Sequence, residues 1–445
     1  MSPTTAFRRE SVRCCVLTIG DELLAGDIVD GNKAILASRA RALGIDVIRA
    51  FSVRDRKEEI VETLREIAPT AELCLVSGGL GPTTDDLTAE AVAAAAGVAL
   101  VRDEATAQAL HEFFATRGAE LVQANLCQAD IPEGASVLDN PIGTAPGFAL
   151  ELSTGSHRCL VACMPGVPRE LERMMTEQVE PRLRERFMTT PVLRRVHRVV
   201  GIGESAVHQR IEAMLKSART RSPGLGNMFV HYRAGASEVQ ICLEALPIAE
   251  GEHRGVTATE AELASLDGAF AEALAPGYVG TGNQELCARL VTRLLQLGLT
   301  VATAESCTGG LVGQLLTSVP GSSGCFRGGV IAYTNEVKRE LLEVPGEKIE
   351  SHGAVSEPVA RAMAIGARRA LRSDLAVAIT GIAGPGGGTV DKPVGTVDLA
   401  ISDAHGTSYL RLHLRGNRAI VRRAAALRAL KLLWDRLVEH DSSPT

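Results

Sequence analysis

Aromatic residues are scarce: one Trp, four Tyr and nine Phe among 445 residues, 3% in all. That poverty argues against a stacking platform for single-stranded nucleic acid. Charge of one sign is lacking too. The formal net charge is −6 and the pI is about 6.0, which gives no general pull towards nucleic acid or an anionic membrane. No run of about 18 apolar residues exists, so no membrane span is expected. The ten cysteines include no C-x-x-C pair; the nearest approaches are Cys14-Cys15 and Cys159 with Cys163. This is neither zinc spacing nor a disulfide scaffold. Most cysteines sit in apolar runs and read as small core residues of a reduced, cytoplasmic protein. Arg8 and Arg9 precede only a short apolar stretch, broken at Gly20-Asp21-Glu22, so no signal peptide is expected there.

What is present is glycine, 44 in all, as many tight strand-to-helix turns require. The length suits two or three domains. The most telling turn is Ala304-Glu305-Ser306-Cys307-Thr308-Gly309-Gly310, led into by the β-like run 299–302 and left by the helix-like run 311–316. Strand, glycine turn and helix can present a nucleophile, or hold an anion on backbone N–H groups. A tight turn with a helix cap is the plain alternative. Cys307 is a rival nucleophile, since a thiol at a helix start can be activated.

Earlier in the chain, apolar strands at 14–19, 45–51 and 73–76 alternate with helical patterns at 32–43, 58–68 and 88–96. Such alternation predicts a parallel sheet with helices on both faces and ligands at the strands' carboxyl ends. Two glycine-rich turns fall there. The second, Ser77-Gly78-Gly79-Leu80-Gly81-Pro82-Thr83, is followed by Asp85-Asp86. Its small residues would let a phosphate approach, and the paired carboxylates could hold a divalent metal against it. A helix N-terminus with favourable acidic residues is the other reading. From about residue 191 the texture changes: a strand at 196–200, Gly201-Ile202-Gly203, a helix to 215 and a strand at 239–246. The basic cluster Arg194, Arg195 and Arg198 reads as a solvated face or interdomain contact. The stretch 249–259 reads as an exposed loop.

Ile19-Gly20-Asp21-Glu22-Leu23-Leu24, the Gly78–Thr88 stretch, Asn140-Pro141-Ile142-Gly143-Thr144-Ala145-Pro146-Gly147 and Pro165-Gly166-Val167-Pro168 together resemble the CinA (competence/damage-inducible protein A) family. The resemblance implies an α/β protein of three parts. These are a three-layer αβα molybdopterin-binding-like domain over 1–170, a connector helix with a small KH-like αβ module over 171–275, and an αβ amidase domain over 276–445. For the first domain it implies a nucleotide pyrophosphate site, in some members a metal-dependent ADP-ribose pyrophosphatase. The phosphate contacts would be Gly20, Gly78, Gly79, Gly81 and Thr83, and the metal carboxylates Asp21, Asp55, Asp85 and Asp86. Arg54 departs from the family's pattern beside Asp55. The module lacks the Gly-x-x-Gly loop of a nucleic-acid KH domain.

The last third resembles the family's C-terminal domain, a nicotinamide mononucleotide (NMN) deamidase. The matching motifs are the Ser306 turn, Tyr333-Thr334-Asn335-Glu336-Val337-Lys338, the Thr380-Gly381 strand end with the glycine loop to Gly388, and Lys392-Pro393-Val394-Gly395. Ser306 would be the nucleophile, with Tyr333, Lys338 and Thr380 around it. No His lies in a matching motif, and His352 reads as a loop or capping residue. A Ser–Lys arrangement therefore remains, in which Lys338 must be neutral to act as base. Glu305, Cys307, Thr308, Gly309, Gly310, Gly381 and Gly384 are expected to contact substrate. Either Arg418 or Arg422 would meet the NMN phosphate. No cofactor is expected for the amidase. Small nucleotides, NMN and ADP-ribose, are the expected partners, with direct nucleic-acid binding and membrane association not expected and a homodimer expected. A molybdopterin or nucleotide transferase, and a non-catalytic partner in DNA uptake or repair, are the alternatives.

Overall fold

The computed structural model describes residues 12–189, 192–235, 238–245, 258–282 and 284–442. The chain forms two compact units, one ending at Val192 and the other beginning at Leu193. Most of the stretch 249–259 lies outside the described residues.

The first unit is built on a six-stranded sheet. Its spatial order is Asp46–Val53, Arg13–Ile19, Leu73–Ser77, His157–Met164, Gly147–Thr154 and Ser136–Leu138. The first three strands are parallel, as expected; His157–Met164 adds a fourth in parallel, and the last two each pair antiparallel with the strand before them. The alternation read from the sequence stops at the Thr88–Ala96 helix, and the hairpin after it carries no helix to signal a crossover. Strand Arg13–Ile19 shows the period of two. Cys15, Leu17 and Ile19 enter one core, while Cys14 and Val16 enter the other. Nine of the ten cysteines are buried and none is in a disulfide.

In the second unit, four antiparallel strands come first, ordered Met228–Ala234, Glu238–Ala245, Leu193–Val200 and Tyr278–Thr281. The helix Glu204–Arg221 covers them through Val207 and Ile211. Tyr278–Thr281 completes this sheet, so the expected boundary at 275/276 cuts it, and the expected boundary at 170/171 falls inside the first unit. The arginines of strand Leu193–Val200 are ion-paired rather than free on a basic face. Arg195 pairs with Asp267, Arg194 with Glu244, and the buried Arg198 with Glu238.

The larger sheet of this unit has five strands, ordered Phe326–Ile331, Val301–Glu305, Leu375–Gly381, Thr396–Asp403 and Gly406–His413. The first three are parallel and the last two antiparallel. Helices Leu286–Leu297, Leu311–Thr317 and Arg418–Ser442 share a leucine-rich core on one face. The other face, lined by Ala302, Ala304, Ala376 and Ala378, takes the helix Glu357–Ala370. Among the described residues no helix is long and apolar enough to cross a membrane.

Candidate active site

The chain leaves Val301–Glu305 for a strand on one side, Phe326–Ile331, and then for one on the other, Leu375–Gly381. Between such diverging connections a crevice opens at the carboxyl ends of the strands. Glu305 is in register with Ile331 and with Ile379. The residues just beyond, Ser306, Tyr333 and Thr380, therefore emerge at the same edge. They line a cleft of about 210 Å³ with Cys307, Asn335, Lys338, Gly381, Ala383 and Arg418.

Gly309 and Gly310 make the turn after Ser306 possible. Both have positive φ, 60° and 92°, which L side chains adopt only at a cost. A Cβ on Gly310 would also stand 3.1 Å from Ile331 Cδ1. The Ser306 amide donates to the Ile379 carbonyl at 2.9 Å, fixing the residue to the neighbouring strand. The hydroxyl is then left facing Lys338, whose Nζ lies 3.2 Å from Ser306 Oγ. Lys338 stands in the short helix Asn335–Glu340, capped by the Thr334 hydroxyl on the Val337 amide. Its side chain is buried, with 1% of the residue exposed. Its neighbours are the carbonyl oxygens of Ala332 at 2.8 Å and of Tyr333 and Thr334 at 3.5 Å each. No carboxylate pairs with it among the described residues. Burial therefore pushes its pKa below the ordinary value, although Cys307 and Glu336 pull the other way.

Cys307, the rival nucleophile, is buried beside Ser306. Burial pushes its thiol up to about 11, so the reactive thiolate is sparse at neutral pH. A backbone hydrogen bond and the nearby Arg422 and Arg418 guanidiniums offset only part of that desolvation.

Several expected substrate contacts turn out to be supports. Glu305 is 1% exposed, and its two oxygens accept from the amides of Val312 and Gly313 at 3.1 and 2.9 Å. It holds the following helix and has no face for a ligand. Thr308 is fully buried, and Gly309 and Gly310 shape the turn without lining the cleft. The two arginines, one helical turn apart, do different work. Arg422 donates from Nε to the Cys307 carbonyl at 3.1 Å and from Nη2 to the Thr308 carbonyl at 2.7 Å. Arg418 instead reaches the cleft mouth. It donates to the Tyr333 hydroxyl at 3.0 Å and to the Gly384 carbonyl at 2.9 Å. Thr380 donates to the Ala354 carbonyl at 2.9 Å, which brings Ala354 and Val355 into the wall. His352 ends a helix outside the cleft, its carbonyl accepting from Lys392. Asn335 and the Ala332 carbonyl also belong to the site, although neither is among the residues expected from the sequence. The signal for Asn335 was its place in the motif that carries Lys338.

The first unit places its glycine turns at the strand ends as expected, but uses many of their donors internally. The Gly20 amide donates to the Val53 carbonyl and the Gly78 amide to the Met164 carbonyl, both at 3.1 Å. Thr83 donates to Asp86 Oδ2 from its amide at 2.8 Å and its hydroxyl at 2.6 Å. A Cβ on Gly78 would meet the Ile19 carbonyl at 2.3 Å, so strand packing by itself demands that glycine. Gly79, Gly81 and Asp86 line a pocket of about 90 Å³. The expected metal ligands do not form one set. Asp55 accepts from the Asp21 amide at 2.8 Å, and Arg54 stands 3.9 Å from Asp21. Asp86 is committed to the turn. Among the described residues no three His, Cys, Asp or Glu side chains are grouped to hold a metal ion. Asp55 is nonetheless pushed up by burial, with smaller contributions from Glu22, Asp21 and Asp86.

Residues 283–437 match the family described as CinA C-terminal domain, and residues 15–185 match the probable molybdopterin binding domain. A CinA-like protein of Geobacter sp. (strain M21) is 40% identical over 434 residues, covering 97% of this chain and 99% of the relative. The chain belongs to the CinA family. A second CinA-like protein, from Anaeromyxobacter dehalogenans (strain 2CP-C), is 41% identical over 94% of this chain and 98% of its own. Among solved structures, the competence/damage inducible protein CihA from Agrobacterium tumefaciens is 41% identical. It covers 35% of this chain and 97% of its own, with a TM-score of 0.33. This CinA chain carries both matched domains, one over residues 15–185 and the other over residues 283–437.

Proposed function

We propose that the C-terminal part of this CinA protein is a serine–lysine amidase that hydrolyses the carboxamide of nicotinamide mononucleotide. The observation that carries the reading is a buried lysine without a carboxylate partner, 3.2 Å from the hydroxyl of Ser306. Neutral Lys338 takes the Ser306 proton as Oγ bonds to the carboxamide carbon. The three carbonyl oxygens around Nζ steady the ammonium so formed. The C–N bond then breaks, Lys338 returns the proton to the departing nitrogen, and ammonia leaves. A water molecule attacks the acyl–Ser306 ester, giving its proton to Lys338, and nicotinate mononucleotide departs as Ser306 regains its hydrogen. Arg418, at the mouth, is the arginine suited to the substrate phosphate, because Arg422 spends its guanidinium on the turn. No step calls for a metal or cofactor. Ammonia release from NMN in EDTA, lost in Ser306→Ala, is the expected result. No release by folded wild type would end the reading.

For the first unit we propose hydrolysis of a nucleotide pyrophosphate such as ADP-ribose. Support comes from the pocket that joins Gly79, Gly81 and Asp86. Its test is phosphomonoester formation from ADP-ribose, titrated with Mg²⁺. The ion-paired arginines of the small module favour leaving nucleic acid out of the function.

A further inference from the structure

Ser306, Lys338, Tyr333, Thr380 and Arg418, polar side chains lining the cleft, are committed to neighbours. Ser306 faces Lys338, and Lys338 faces three carbonyls. Tyr333 takes a hydrogen bond from Arg418, and Thr380 gives one to Ala354. The side-chain amide of Asn335 lines the same cleft and has no hydrogen-bond partner among the described residues. It is half-buried and precedes Lys338 by three residues in the same helix, so the two share a face.

A primary amide offers one acceptor oxygen and two N–H donors. A substrate carboxamide offers the same set, and two such groups can close a pair of parallel hydrogen bonds. A carboxylate has only acceptors, so the product keeps at most one of the two. The acceptor oxygen of the asparagine would then face a product oxygen.

We propose that Asn335 is the specificity-determining residue of this site, pairing Nδ2–H with the substrate carbonyl oxygen and Oδ1 with the substrate amide N–H. The inference rests on the amidase reading. While the amide is intact, both bonds hold it over Ser306 Oγ. Once ammonia has gone and water has cleaved the acyl–Ser306 ester, the second bond is replaced by a repulsion between oxygens, and the acid is released. The pair also selects carboxamide over carboxylate on entry, because a site that hydrogen-bonds a group rejects the analogue lacking it.

The test measures two constants in the full-length protein: KM for NMN from ammonia release, and the competitive inhibition constant of nicotinate mononucleotide. Asn335→Ala is expected to raise KM about tenfold or more while the product constant moves less than about threefold. Asn335→Asp should raise KM for NMN further, since its carboxylate opposes the carbonyl oxygen. Asn335→Gln, which keeps the amide on a longer arm, should recover part of the discrimination, and thermal melting checks that all variants fold. If both constants of folded Asn335→Ala move by the same factor, or neither moves, the proposal is overturned while the amidase reading stands. A silent wild type overturns both.

Discussion

Lys338→Met separates the two consequences of burying an amine. The side chain sits at 1% exposure with carbonyl oxygens and a hydroxyl for company. An ordinary lysine, titrating at 10.5, would be neutral in only about one molecule in a thousand at pH 7.5. Burial lowers that pKa, and each unit of lowering makes tenfold more base available. The wild-type kcat/KM should therefore rise tenfold per pH unit on its acid limb and level off at a midpoint below 10.5. Met fills similar space, but its thioether sulfur is far too weak a base to take the proton. Loss of a general base should cost about 10²–10⁴ in kcat/KM, and the acid limb due to Lys338 should disappear.

The stability change should go the other way. With the folded pKa lowered, the unfolded chain binds more protons between that value and 10.5. Wild-type stability therefore falls as pH falls through this window, and Met has no such dependence. Against this, Met leaves the Ala332 carbonyl without its 2.8 Å donor, a cost of about 1 kcal/mol, or roughly 2–4 °C in Tm. The Tm of Lys338→Met minus that of wild type should thus be most favourable at the low end of the window and shrink towards pH 10.5. Melting curves and pH–rate profiles on the same preparations read both. An acid-limb midpoint at or above 10.5, or a Tm gap that ignores pH, would refute the reasoning.

Three further outcomes follow from the same contacts. Cys307→Ser should keep ammonia release within about threefold of wild type, because a thiol titrating near 11 contributes almost no thiolate; a thousandfold loss would return the cysteine to candidacy. Arg422→Ala frees the Cys307 and Thr308 carbonyls, so kcat should fall by about 10–100-fold with KM little changed, whereas Arg418→Ala should chiefly raise KM. Equal effects on both constants in the two variants would contradict that division. Glu305→Gln should lower stability by about 1–3 kcal/mol, seen in chemical denaturation, because an amide nitrogen replaces one of the two acceptor oxygens that hold Val312 and Gly313; a shift within about 0.3 kcal/mol would mean the helix start holds without it.

What the sequence could show was governed by adjacency along the chain. A strand, a glycine pair and a helix are local, so the Ser306 turn was legible at once. The parallel core of the first sheet was legible for the same reason, through its alternating strands and helices. The antiparallel hairpin Gly147–Thr154 and His157–Met164 was not, because both strands are buried and carry little of the in-and-out alternation that marks a strand. Pairing of charges over long separations was hidden as well. Arg198 finds Glu238, forty residues on, and is withdrawn from the basic face it had suggested.

Roles within one motif are harder still, and Arg418 with Arg422 shows why. They are the same residue type, four apart on one helix, and each is a credible partner for a phosphate. Propensity, charge and spacing treat them alike. The turn at Ser306 distinguishes them, since its two carbonyls point at Arg422 and not at Arg418. An arginine already spent on the backbone of the Ser306 turn holds that turn in place. One that reaches across a cleft mouth to a phenol and a single carbonyl can exchange those partners for an anion. The same test of prior commitment demotes Glu305, whose oxygens are both taken, and promotes Asn335, whose amide is not. Chemical type narrows the candidates, and the hydrogen bonds each side chain has already made decide among them.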